Sequence, residues 1–191
     1  MATLLNISKS VDLSFFRDQN FPLSRWQKMN YLRIIRYLQS HKELKLESLF
    51  SSENQSIRLF GYQLVRILGR VDLVQLMVDR FDDAAELERI ELLSTFELLG
   101  VPVDSRVINS SLLTNNDKLI RRAAMAAAQI GDETTEGMMW KILPTITSFQ
   151  LKKSILRSLK SLNPMSNEAF IDTNTLLDIK EINSHQLDPL L

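Results

Sequence analysis

Three of the five glycines, Gly69, Gly100 and Gly131, stand 31 residues apart, and each closes a stretch of helically spaced apolar residues. Glycine reaches the left-handed conformation that ends a helix at little cost. A fixed step between 20 and 50 residues marks a stacked array of small helical units. Two further columns keep the step: Phe50, Phe81, Leu112 and Leu143 at 31, 31 and 31, and Arg58, Arg89, Arg121 and Lys152 at 31, 32 and 31. The step predicts units at 11–39, 44–69, 71–100, 103–131 and 134–162. In each, a short helix A ends at the Phe/Leu column, a polar loop follows, and a longer helix B ends at glycine.

The loops "SSENQ", "DDAAE", "TNND" and "PTITS" are rich in residues that cap helix starts. In the first unit, Pro22 breaks helix between Phe16 and Trp26. Ile57, Phe60, Leu64, Val65 and Leu68 recur at helical spacing in the second B helix. In the fourth, Ala123, Ala124 and Ala127 hold that place, which predicts the tightest packing of the stack.

The stretch "KLIRRAAMAAAQIGDE" resembles helix B of the short bacterial HEAT repeats, also known from the phycobilin lyase group. Ile120-Arg121 stand for the Val-Arg pair of that pattern, Ala123-Ala124 for its alanines, and Ile130-Gly131-Asp132 for its terminator. The resemblance covers about 150 residues as architecture and one repeat as motif. It implies an all-α fold, a right-handed α-solenoid of about five HEAT-like helix pairs with B helices on the concave face. Residues 166–183 are expected to form a C-terminal capping helix, because a terminal repeat leaves its apolar face open.

The composition agrees. Only 5 Gly and 5 Pro occur in 191 residues, and cysteine is absent. That rules out disulfides, thiolate metal sites and cysteine nucleophiles, and fits a reducing compartment, so a cytoplasmic location is expected. No apolar run approaches the roughly 20 residues that span a bilayer; a membrane tether in a longer parent protein stays open. The net charge of zero hides an asymmetry. Residues 1–70 hold 11 basic and 5 acidic side chains, and residues 71–140 hold 6 and 13.

For the column Arg58, Arg89, Arg121 and Lys152, a register ladder is favoured over an anion-binding stripe. Each member would lie beside an acidic or amide loop residue such as Glu53, Asp83 or Asp117. Trp26 and Trp140 are expected inside their own helix pairs, and Glu86, Glu88, Glu91 and Glu97 on a solvated face. Tyr62, Gln63 and Arg66 are expected at the concave surface, continuing Arg33 and Arg36 into a basic, aromatic-dotted patch, with Arg122 also free for partners. His41 and His185 have no metal-ligand spacing, and no nucleophile elbow or phosphate loop is present. No metal or other cofactor is expected.

The leading functional expectation is a non-catalytic scaffold that offers a curved face to a protein partner. Nucleic-acid binding is disfavoured by the acidic middle third. A lyase or chaperone for tetrapyrrole attachment follows from the resemblance alone.

Overall fold

The computed structural model describes residues 10–13, 17, 20–39 and 43–163, and these are mostly helical. Five long helices, α1 (Arg25–Gln39), α3 (Gln55–Leu68), α5 (Glu86–Leu99), α7 (Asp117–Ile130) and α9 (Phe149–Leu162), alternate with shorter ones. The short helices are α2 (Glu47–Phe50), α4 (Val74–Asp79), α6 (Ser105–Leu112) and α8 (Glu133–Ile142). The one departure from helix and loop among the described residues is a parallel pair. Strand β1 (Ser10–Asp12) runs beside β2 (Glu43–Lys45), with Val11 opposite Leu44 and α1 as the crossover that parallel strands require. The strand stands where the first unit's short helix was expected.

Local chemistry sets the helix ends. The Asn54, Asn116 and Ser148 side chains accept from backbone N–H groups in the first turns of α3, α7 and α9. Gly69 and Gly100 close α3 and α5 at φ 66° and 63°. Gly131 differs from this expectation: at φ −74° and ψ 166° it is extended. Glycine is needed there for space, since a Cβ would lie 2.5 Å from the Ala127 carbonyl oxygen. The extended turn delivers the chain at once to Asp132, which caps α8.

Asp132 Oδ1 accepts from the Thr134 and Thr135 hydroxyls at 2.6 and 3.0 Å and from the Thr135 N–H at 2.9 Å. The Thr134 hydroxyl first, then the Thr135 N–H, hold its carboxyl below the usual carboxylate range. A depressed pKa contributes stability above the unfolded value and loses it as pH falls through the folded value. Asp132→Ala should therefore cost about 1 kcal/mol at pH 7, as for other caps. Denaturant midpoints of variant and parent should converge as pH drops below the carboxylate range; a gap that persists there would remove the carboxylate from the cap.

The long helices pack in chain order: α3 on α5, α5 on α7 and α7 on α9, with α1 against α3. On the other side α2 packs on α3, and α6 on both α7 and α8. Phe50, Phe81, Leu112 and Leu143, the column that ends the short helices, are buried between the layers. Before α1, the Leu23 N–H donates to Ser56 Oγ and Asn54 Nδ2 to the Phe21 carbonyl, tying the first long helix to the start of the second. The expected capping helix at 166–183, and His41 and His185, lie outside the described residues.

Candidate functional site

Counting along each long helix from its cap aligns the repeats: Ser24, Asn54, Ala85, Asn116 and Ser148 are equivalent. Ser24 qualifies by reciprocal bonds, its Oγ accepting from the Gln27 N–H while Gln27 Oε1 accepts from the Ser24 N–H. In this frame Arg58, Arg89 and Lys152 share the fourth position, but Arg121 does not; buried Ile120 stands there. One residue is 100° around a helix. Arg121 is consequently exposed, and neither its side chain nor that of half-buried Lys152 makes a hydrogen bond or ion pair among the described residues.

Arg58 and Arg89 do hold their own loops, through backbone carbonyls rather than the carboxylates of Glu53 or Asp83. Arg58 Nη1 donates to the Ser52 and Glu53 carbonyls at 2.6 and 2.9 Å. Arg89 donates to those of Ala84 and Asp82 at 2.9 and 2.6 Å. Only Arg58 also reaches the next unit, where its Nε lies 2.6 Å from Glu88 Oε1. Glu88 is 3% exposed, so the expected solvated face of α5 is corrected here. The cap frame carries a signal for this that the 31-residue columns left unread. The third position is apolar in three of the five helices (Ile57, Leu119, Leu151), and in the other two it is Gln27 and Glu88, whose side chains both reach back to the cap N–H.

Tyr62 belongs to the same cluster and not to the surface. It is 1% exposed, and its ring stacks 5.3 Å from Phe50. Burial first, and then the Glu88 charge, raise its hydroxyl pKa. Arg80 closes the cluster, donating to the Phe50 carbonyl at 2.7 Å and to Ser51 Oγ at 3.0 Å. The shallow cleft lined by Arg58, Tyr62, Arg80 and Glu88 is thus the joint between the second and third units.

Arg66 and Arg122 are likewise engaged. Arg66 lies 2.9 Å from Glu91 and 3.0 Å from Ser94 Oγ on α5, and Arg122 lies 2.6 Å from Glu97. Both ion pairs join the twelfth residue after the cap of one helix to the sixth of the next, with the signs exchanged between the two rungs. Neither arginine is free for a partner.

The most exposed side of the long helices is made by the second, fifth, ninth and thirteenth residues after each cap, a stripe at steps of three, four and four that is exposed at most of its positions. On α1 it reads Trp26, Met29, Arg33 and Tyr37, all exposed; Trp26 is 75% exposed rather than buried in its helix pair. On α3 it reads Ser56, Leu59, Gln63 and Ile67, the first three half-buried, and on α5 Leu87, Ile90, Ser94 and Leu98, with Ile90 half-buried and Ser94 buried against Arg66. Leu87 and Leu98 are more than 60% exposed. On α7 it reads Lys118, Arg121, Met125 and Gln129, and on α9 Gln150, Lys153, Arg157 and Ser161. Because the phase repeats on helices packed in series, the stripes lie on one side of the row. Arg36, also exposed, flanks the α1 stripe, while Trp140 is half-buried on α8 with its Nε1 3.4 Å from Glu136.

No acidic residue occupies any of these positions on the five helices. The stripe changes along the row from aromatic and basic on α1, through aliphatic on α3 and α5, to basic on α7 and α9. Among the described residues no group of three His, Asp or Glu could hold a metal ion, and no helix is long and apolar enough to cross a membrane. Comparison with known proteins returns no matching family model, no similar curated protein and no similar solved structure.

Proposed function

We propose that this chain is a non-catalytic α-solenoid of HEAT-like helix pairs whose long-helix face captures a protein partner. The observation that carries the reading is the acid-free face just described. The exposed positions of five successively packed helices keep Trp26, Leu87, Leu98 and Arg121 in solvent; of the acidic residues flanking them, Glu91 and Glu97 pair with Arg66 and Arg122, while Glu86 and Asp117 stand exposed at the starts of α5 and α7. Exposed aromatic and aliphatic side chains rimmed by charge mark interaction surfaces, and aromatic residues and arginine dominate their energetics. Stacked helical repeats characteristically present such extended faces. Partner capture through a soluble cytoplasmic face fits the charge pattern and the lack of cysteine.

The test compares crosslinking capture by the parent chain, by Leu98→Glu/Arg121→Glu on the long-helix face, and by Leu113→Ser at the exposed end of α6. The face variant should recover its specific partner at least tenfold less, about 1.4 kcal/mol of binding, with Leu113→Ser unchanged. Equal recovery by all three would overturn the reading.

A further inference from the structure

The distribution of charge along the row identifies a kind of partner. Resting on the reading above, we infer that the long-helix face binds an extended acidic segment of a protein, with acidic residues at its two ends and apolar residues at its centre. Both end helices of the row are cationic: α1 contains four basic and no acidic residues, and so does α9. On the face itself Arg33 marks one end and Arg121, Lys153 and Arg157 the other. Between them stand Leu87 and Leu98, exposed by 61% and 63% and bearing no charge.

A uniformly anionic ligand would leave that aliphatic centre facing its charges, since a polar group set against apolar surface without a hydrogen bond is penalised. A segment that is acidic throughout, or a phosphate backbone, is therefore a poorer match than one with an apolar middle. Length agrees with an extended chain. Packed helices stand roughly 8–10 Å apart, so the four steps from α1 to α9 span about 35 Å, the reach of roughly 11 residues at about 3.3 Å each. Apolar burial at the centre would supply affinity, and the two cationic ends would set register and encounter rate.

The experiment measures fluorescence anisotropy of labelled 12-residue peptides against the full chain. One peptide has Glu/Asp ends and a Leu/Phe centre, a second has the same centre with Lys ends, and a third has the acidic ends with a Gly/Ser centre. A single-stranded oligonucleotide of matched length and vesicles of phosphatidylserine in phosphatidylcholine supply the other anionic surfaces. The first peptide should bind at least tenfold more tightly than either other peptide, and more tightly than oligonucleotide or vesicles. Arg157→Glu, Arg33→Glu and Leu98→Asp should each weaken it severalfold, and binding should fall as salt rises.

Equal binding of the acidic-ended and Lys-ended peptides would overturn the inference, as would preference for oligonucleotide or vesicles. If the peptides fail while Leu98→Glu/Arg121→Glu still loses its captured partner, the protein-binding reading stands and only the partner chemistry falls. If both experiments fail, the face is not the binding surface.

Discussion

Arg58→Ala should destabilise the fold by about 3 kcal/mol, the loss typical when one member of a buried ion pair is removed. The cause is Glu88 and not the lost attraction. Its carboxylate is 4% exposed at the side chain, and Arg58 Nε is its charged partner at 2.6 Å. Without the guanidinium, a buried charge keeps only the Ala85 N–H at 3.3 Å. The Ser52 and Glu53 carbonyls lose their donor as well.

Glu88→Leu in the Arg58→Met background should recover most of that loss, to within about 1 kcal/mol of the parent, because well-packed apolar replacements of buried pairs are often neutral. Ile57, Leu119 and Leu151 show that the third position after the cap accommodates an aliphatic side chain. Urea midpoints for the parent, Arg58→Met, Glu88→Leu and the double variant give the cycle. A loss under about 0.5 kcal/mol for Arg58→Ala would mean that water, and not Arg58, satisfies Glu88.

Ala126→Leu should cost about 3 kcal/mol, the upper part of the range for overpacking a filled core. The tenth position after the cap faces the preceding long helix at close range. Its equivalent on α5, Thr95, places Oγ1 3.4 Å from the Tyr62 carbonyl of α3. On α9 the equivalent is the buried Ser158, so from α5 onward the column holds only small side chains. Ala126, on α7, is 0% exposed, and α7 packs directly on α5, so a leucine there would have to push the two helices apart. Ala126→Ser, with the side chain that α9 uses, should lose no more than about 1 kcal/mol. Thermal or urea unfolding separates the two, and equal midpoints for Ala126→Leu and the parent would show that the helices are not in close contact there.

The two variants probe two different kinds of joint. Units two and three are held by polar ties, the Arg58–Glu88 pair and Arg80 on the Phe50 carbonyl. The alanines of α7 instead allow broad apolar contact with α5 and α9. Alanine is also the strongest helix former, so α7 combines local preference with close approach.

Much of the fold was legible in the residues. Helices alternating long and short, capping residues in the loops before the long helices, and the left-handed turns at Gly69 and Gly100 each arise within a few residues of chain, and the 31-residue step is their repetition. The candidate surface was half legible. Arg33, Arg36 and Gln63 are on or beside it, whereas Tyr62, Arg66 and Arg122 are not open to a partner, and Trp26, Leu87 and Leu98 were not assigned to it. Trp26 was misplaced because aromatic residues in short helical units are usually buried; here Ile35, on the opposite side of α1, takes the core position.

By itself, then, the sequence determined the helical repeat, its period and its terminators, since capping and apolar periodicity act over one or two turns. Tertiary structure alone decided the rotational phase of each helix and the pairing of its charges. Arg121 missed the arginine column because α7 starts one residue earlier, relative to that column, than α3 and α5 do. Arg66 and Arg122 were neutralised by glutamates 25 residues away in sequence that packing brings to within 3 Å. Coulomb attraction depends on distance in space, and distances between helices are set only when the helices pack.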